Sequence, residues 1–467
     1  MFSGIKLVFI VHNLFLRLEV EKIMETILNP KKEFSIPKLI VEAACNGNLV
    51  LFCGAGVSTE NRDVLPFSFY DSIAEILKIE DCDLSFPDLM SKMEEQPNGR
   101  QRLIETLNRR ITFINSFEEL RRISTKFHRV VKTIPQINTI ITTNWDNNFE
   151  EICGATPYVF AKDIPLWNST FRRVLKIHGS ITNISSIVAS RKDYDECLVR
   201  FSSGSVLSAK LIELMTTKTV VFVGFSFGDY DFNHVLEMLK FDLDDYMQHV
   251  FFVTLGSKAI QSLSKFNHTR IVADGTDFLI ALRNEMVESG ALIPIEHFDF
   301  VNTIYDSIVE VHNHISNILD GPISMYPLSY QDGLIHALSR QITDKTGLYY
   351  SGKYLDDCIA TYDEILKKLF DDNSLVDYTY CLGYLNGLKM LKTGETALKD
   401  TPLLILPRNG KIRTYEIDRQ GLSDFLEDFK KVKSGRYYTF AKSLWIRYTG
   451  GASDTSEYVY HHLPTVL

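Results

Sequence analysis

Three side chains in this sequence are suited to proton transfer and to handling a polarised bond: Asn144, Asp146 and His178. An amide both donates and accepts, so Asn144 can hold a hydroxyl or a water. An imidazole exchanges protons near neutral pH, so His178 can act as a base toward hydroxyls or water. Asp146 offers a carboxylate that can hold a polar ligand end or offset a developing positive charge. Each also fits a plainer role. Asn144 could end a strand and cap a turn. Asp146 could cap the helix that runs through Phe149. His178 could be a satisfied core histidine.

A fourth group of residues offers backbone rather than side chains. Residues 51–60 read Leu-Phe-Cys-Gly-Ala-Gly-Val-Ser-Thr-Glu and follow the apolar run Leu49 to Phe52. A strand that enters Gly54-Ala55-Gly56 lets a diphosphate approach the N–H groups closely, and Ser58 and Thr59 are placed to cap a following helix. The third glycine of the usual dinucleotide fingerprint is missing, so an ordinary dehydrogenase loop is not supported.

These groups need elements that bring them together. Three more β-branched or apolar runs end in small or polar residues: Ile137 to Thr143, Val174 to Ile177, and Thr219 to Val223. They lead into Asn144-Trp145-Asp146, His178-Gly179-Ser180, and Gly224-Phe225-Ser226. In an open α/β sheet, ligands bind beyond the carboxyl ends of the strands. Four such tips predict one shared site.

The set Gly54-Ala55-Gly56-Val57-Ser58, Thr143-Asn144-Trp145-Asp146, His178-Gly179 and Gly224-Phe225-Ser226 resembles the SIR2 (sirtuin-like) family over about residues 37–280. Tyr194 fits the pattern that follows the His-Gly motif. The resemblance implies a Rossmann-like NAD-binding fold and cleavage of the nicotinamide–ribose bond. It assigns the chemistry chiefly to Asn144 and His178. It places Gly54, Ala55, Gly56, Ser58 and Thr143 at the cofactor, with Gly224 and Ser226 toward the adenosine side. An aromatic residue from Phe67-Ser68-Phe69-Tyr70 would cover the pocket. NAD is then substrate, and no metal is expected. Protein-deacylating sirtuins carry a four-cysteine zinc module after the His-Gly strand. Here only Cys197 lies between His178 and Gly224, and a structural zinc needs four ligands.

This build is similar to bacterial antiphage effectors that deplete NAD when infection is sensed. It implies an NAD+ hydrolase restrained at rest, a homo-oligomer, and activation by a protein partner or a nucleotide signal. An NAD-dependent deacylase and a non-catalytic NAD sensor are the competing readings. A cyclic ADP-ribose product is a variant of the first.

The 467 residues suggest two or three domains, and the composition, 45% hydrophobic and 23% charged, is that of a globular protein. A formal net charge of −9 argues against a general nucleic-acid surface. Seven scattered cysteines without a C-x-x-C pair fit reduced thiols in a cytoplasmic protein. Met1 to Leu18 is apolar, but His12, Asn13 and Arg17 interrupt it, so neither a membrane span nor a signal peptide is expected. Met24 is a second candidate start. A helix over the N-terminal extension is the plainer expectation.

The predicted fold is a Rossmann-like, doubly wound parallel α/β sheet with a helical insertion at about 64–134. A C-terminal, mostly helical α+β domain follows. The expected boundaries are 1–36, 37–290 and 291–467. Proline and glycine bracket a helix from Ile36-Pro37 to Asn46-Gly47. Ser116-Phe117-Glu118-Glu119 predicts a capping box opening one helix to about Lys132. Pro157 to Ala161, His249 to Leu255 and Thr269 to Ala273 are further strands. Asp229 and Asp231 read as helix caps, and His128 and His234 as structural. Past residue 290, helices are expected at Val301 to Leu319, Tyr354 to Leu369 and 421–447. Pro322 and Pro327 mark a break. Thr401 to Ile417 is a hairpin turning at Asn409-Gly410.

Overall fold

The computed structural model describes residues 34–79, 83–202, 205–225, 249–256, 267–394, 401–408, 411–416, 418–455 and 458–464. The expectations for the N-terminal extension, Cys82, Ser226, Asp229, Asp231, His234 and the Asn409-Gly410 turn lie outside those residues. The chain divides into two compact units. One reaches Ser289 and also takes in Lys345–Gly347; the other comprises Gly290–Asp344 and the chain from Leu348 onward.

In the first unit, helix α1 (Lys38–Cys45) starts after Pro37, and the chain turns at Gly47 with a φ of +66°. It feeds β1 (Leu49–Cys53), where all five residues are buried. Six further strands join it: β2 (Thr139–Thr142), β3 (Thr156–Tyr158), β4 (Arg173–Lys176), β5 (Thr219–Val223), β6 (Val250–Thr254) and β7 (His268–Val272). They form one parallel sheet of order β3-β4-β2-β1-β5-β6-β7. The chain runs from β1 to β2 and on to the edge strand β3, returns to insert β4 between β3 and β2, then crosses back to place β5 on the other side of β1. That reversal is where open α/β sheets bind ligands.

The strands read as nearly continuous apolar runs because both faces are covered. Val50, Phe52, Ile141, Leu175, Val220, Phe222 and Phe252 share one core cluster. It is closed by Leu211, Leu214 and Met215 of a helix spanning Val206–Thr217 and by Trp167. The opposite face carries the alternate residues, such as Leu49, Leu51 and Val221, which are equally buried.

The insertion is helical, as expected, but segmented: α2 (Phe69–Leu77), α3 (Phe86–Glu94), α4 (Gly99–Ser116), α5 (Glu118–Ser124) and α6 (Lys126–Lys132). Its own core joins Phe69, Ile73, Leu89, Met93, Leu103 and Leu107. Ser116 does not open the capping box its sequence suggests. It ends α4, and its hydroxyl donates to the Thr112 carbonyl at 2.7 Å. The expected single helix to Lys132 breaks at Thr125, whose hydroxyl bonds back to the Arg121 carbonyl at 2.6 Å. After β2 and β4 come α7 (Asn148–Cys153) and α8 (Arg191–Ser202); α9 is the Val206–Thr217 helix, and α10 (Gly275–Glu288) follows β7.

The second unit contains α11 (Asp299–Ile318), α12 (Met325–Thr343), α13 (Gly352–Asp371), α14 (Leu375–Thr393), the hairpin β8 (Leu404–Arg408) and β9 (Lys411–Tyr415), α15 (Arg419–Lys431) and α16 (Arg436–Tyr448). β8 and β9 are antiparallel, with Arg408 opposite Lys411. Three expectations need correction. Pro327 does not break the chain; it sits in the first turn of α12, where a missing N–H leaves no helix bond unmade. Neither α12 nor α14 has a counterpart among the expected elements. The predicted helix over 421–447 is two helices, separated at Gly435, which has a φ of +95°. Among the described residues, no helix is long and apolar enough to cross a membrane.

Candidate active site

The register of the sheet levels the four motifs. Cys53 pairs with Thr142 on one side and Val223 on the other, and Thr142 pairs with Lys176. Gly54, Thr143, Ile177 and Gly224 therefore stand level, one residue past the last paired rung. The ladder runs on through them: Gly54 N–H donates to Val223 O at 2.9 Å, Thr143 N–H to Cys53 O at 3.3 Å and Ile177 N–H to Thr142 O at 3.1 Å. Asn144 and His178 each come next, on neighbouring strands.

They open into a cavity of about 1180 Å³. Gly54, Ala55, Gly56, Thr143, Asn144, Asp146, His178, Tyr194 and Gly224 all line it. Phe69, Tyr70, Phe86 and Trp145 cover it from the insertion side. Phe69 meets Trp145 edge-on at 5.8 Å between ring centroids.

Asn144 is 5% exposed, and both its side-chain Oδ1 and Nδ2 are buried without a hydrogen-bond partner. Its backbone is held by the Thr142 hydroxyl, which accepts from Asn144 N–H at 3.0 Å and donates to Cys53 O at 2.8 Å. A fixed backbone with an unsatisfied buried amide facing a cavity is costly unless a ligand completes it. His178 is 3% exposed, and its ring packs at 5.0 Å from that of Tyr194. Gly179 turns the chain away behind it with a φ of +85°, where a Cβ would lie 2.1 Å from the Ser186 carbonyl oxygen.

Asp146 lines the cavity, yet both carboxylate oxygens are engaged. Oδ2 accepts from the Ser58 hydroxyl at 2.8 Å and Oδ1 from Asn148 N–H at 3.1 Å, at the start of α7. Ser58 itself is fully buried and does not line the cavity; its hydroxyl also accepts from Asn148 Nδ2 at 2.7 Å. The buried Lys176 ammonium donates to the Asp146 carbonyl and to Glu150 Oε1, the latter at 2.9 Å.

The glycine loop differs from expectation in one respect. No long helix follows it, only a single 3-10 turn over Ala55–Val57, so Ser58 ends that turn and does not open a following helix. The N–H groups of Gly56 and Val57 bond to Gly224 O at 2.9 Å and Gly54 O at 3.3 Å. A Cβ on Gly54 would lie 2.6 Å from Gly224 O, and one on Gly224 2.6 Å from Val57 Cγ1. The glycines thus let the β1 and β5 tips touch, which alone accounts for their identity.

Further lining residues were not foreseen: Lys126 on α6, Thr254 at the tip of β6, and Asp274, Thr276 and Asp277 where β7 enters α10. Asp274 caps that helix by accepting from Thr276 N–H at 2.7 Å. The signal was present, since Thr254 and Asp274 are polar residues just beyond apolar strands, like the first four tips. Glu60, also lining, is held by Arg110 of α4 at 3.0 Å, and burial pushes its carboxyl above the usual range.

A parallel sheet that reverses its strand order at β1, with glycine and polar residues at its carboxyl tips, defines a Rossmann-like α/β domain. Residues 138–272 match the protein family described as the SIR2-like domain. The chain is 23% identical over 286 residues to a protein named defense-associated sirtuin 2 from Bacillus subtilis, covering 58% of this chain and 26% of that protein. It is 27% identical over 213 residues to NAD(+) hydrolase ThsA from Enterococcus faecium, covering 44% and 43%. With the ThsA of Bacillus cereus (strain MSX-D12) the identity is 23% over 372 residues, covering 75% and 73%. The chain thus spans about a quarter of the first relative's length and 43% of the second's.

Proposed function

We propose that this protein is an NAD+ glycohydrolase: water adds at C1′ of the nicotinamide ribose, the C–N bond breaks, and nicotinamide, ADP-ribose and a proton leave. The observation that carries the reading is the unpartnered buried amide of Asn144 at the cavity wall. The names of the relatives support the same activity.

In this reading the glycine tips of β1 and β5, with Ala55 and Thr143, seat the diphosphate and adenosine, and Ser226 joins Gly224 there. Asn144 holds the ribose hydroxyls or the attacking water. His178 takes the proton. Asp146, held by Ser58 and Asn148, is a fixed negative charge that favours the oxocarbenium-like ribose as nicotinamide departs. Ser58 acts through Asp146 rather than by touching NAD.

The relative named as a defence-associated sirtuin favours a role in antiphage defence. An enzyme that consumes NAD+ must be restrained in the uninfected cell. Residues 291–467 are the proposed regulatory, oligomerisation or partner-binding region, with release by a protein partner or a nucleotide signal, in the cytoplasm. The test is incubation of the purified protein with NAD+, with nicotinamide and ADP-ribose resolved by chromatography. Turnover should be lost in Asn144→Ala and His178→Ala. NAD+ that neither binds nor turns over, in monomer or assembly, would overturn the assignment.

A further inference from the structure

The second unit holds a cluster that NAD chemistry does not use. α11 contributes His312 and α12 contributes Asp332, both 5% exposed, while the segment after α16 contributes His461. His312 Nε2 lies 3.7 Å and His461 Nδ1 3.6 Å from the same oxygen, Asp332 Oδ1. The three donor atoms all fall within 4.8 Å of one another. Neither separation is a hydrogen bond.

The neighbours decide which way the His312 ring faces. Gln331 Nε2 donates to the Leu403 carbonyl at 3.0 Å, which fixes the orientation of that amide. Gln331 Oε1 therefore faces His312 Nδ1, at 3.2 Å, and can only accept. The proton of the neutral ring sits on Nδ1, and Nε2 turns its lone pair toward a carboxylate. Nε2 is buried and has no hydrogen-bond partner. A lone pair and a carboxylate oxygen repel each other unless a cation stands between them.

We propose that His312 Nε2, Asp332 Oδ1 and His461 Nδ1 ligate one divalent ion of the zinc class, which clasps the C-terminal segment to α11 and α12. Two imidazoles and a carboxylate are a borderline donor set that suits zinc. Two atoms each about 2.1 Å from a tetrahedral zinc lie about 3.4 Å apart, close to the separations here. The outer contacts are those of a metal site as well. Gln331 orients His312, and Asp332 Oδ2 accepts from His462 N–H at 2.7 Å, which sets the carboxylate. His462 is anchored in turn by Asp377 at 3.0 Å and by stacking on Tyr380 at 4.2 Å. The His461 ring is largely exposed, so it can close onto an ion, and water can fill the fourth position.

The full-length protein is stripped with chelator, loaded with Zn²⁺, desalted and assayed for metal. One zinc per chain is expected, and Co²⁺ should give the visible absorption of a four-coordinate site. His461→Ala removes an exposed ligand, so the fold should survive. It should weaken metal affinity about tenfold or more and abolish the Co²⁺ bands, as should Asp332→Asn. Metal below about half an equivalent in the wild type, or equal binding and spectra in His461→Ala, overturns the site. In that event, a proton shared around Asp332 is the cation.

Discussion

The two units press glycine into backbone contacts for opposite ends. In the α/β unit, Gly54 and Gly224 let two strand tips touch at the rim of a cavity, with a would-be Cβ 2.6 Å from a carbonyl oxygen. In the helical unit, Gly333 and Gly383 let α12 and α14 close with nothing between them: a Cβ would lie 2.1 Å from Tyr380 O and 1.9 Å from Tyr330 O. The first contact builds the edge of an opening and the second removes space altogether. The same division governs buried polar groups. Asn144 keeps an unsatisfied amide where a cavity meets it, while His312 keeps an unsatisfied nitrogen where two other ligands meet it. An unpartnered group therefore marks a site when something opens or converges on it.

The largest effect that can break this comparison is on turnover. Asn144→Ala should lower the rate of NAD+ loss about 1,000-fold, or about 4 kcal/mol of barrier, as the loss of a positioned polar group commonly does. Its melting temperature should not fall, because the amide makes no hydrogen bond in the free protein. A variant that keeps turnover within about tenfold of the wild type would leave the amide without a chemical role.

Next comes the helix pair. Gly383→Ala drives a methyl into the backbone of α12, with no flexible side chain to give way. It should cost about 3 kcal/mol or more, at or beyond the upper end of overpacking, and lower the melting temperature of the second unit by several degrees. An unchanged melt would mean that α12 and α14 separate without cost.

Most of the α/β unit was legible in the sequence, and the reason is local. Each strand is an apolar run that stops at glycine or a polar residue, so the strand limits and the tips fall out together, as at Thr219–Val223. The cavity residues of β6 and β7 obey the same rule but lack a motif to draw notice. Ser58 was placed at the diphosphate because its position relative to Gly54 and Gly56 is visible; its bond to Asp146 spans 88 residues and is not. The second unit was harder. α14 is buried along most of its length, so it lacks the polar face that gives an amphipathic helix its period. His312, Asp332 and His461 have no recognisable spacing, and the absence of a four-cysteine module gave no information about them. Their convergence depends on packing alone.

His128 sharpens the contrast, because it is an unpartnered group with neither cavity nor converging ligands. It is fully buried between Phe127 and Phe149, and neither ring nitrogen has a partner. Burial pushes its pKa down to about 4, with Asp146 opposing that shift and Lys176 and Arg129 adding to it. The folded state then binds fewer protons than the unfolded one between about pH 4 and 6.5, so stability falls as pH falls through that window. The wild type should lose about 2 kcal/mol from this group between pH 7.5 and 5. His128→Leu should flatten that dependence in denaturant titrations at the two pH values. An equal loss in both proteins would assign the acid sensitivity elsewhere.

The smallest expected effect tests whether Asp146 is held for chemistry or only for the fold. Ser58→Ala removes a hydroxyl that donates to Asp146 and accepts from Asn148. Two buried hydrogen bonds go; Asp146 keeps the Asn148 N–H and lines the cavity, while Asn148 Nδ2 loses its Ser58 acceptor, so the cost should be about 1 to 2 kcal/mol. If Asp146 matters only because it starts α7, NAD+ turnover at temperatures well below the melt should be unchanged. If its charge must stand fixed beside the departing nicotinamide, kcat should drop about tenfold while KM for NAD+ holds, since Ser58 does not line the cavity. The Ser58→Thr variant, which restores the hydroxyl at the expense of one extra methyl, separates the two cases: recovery of kcat without recovery of stability would assign Ser58 to positioning of the carboxylate.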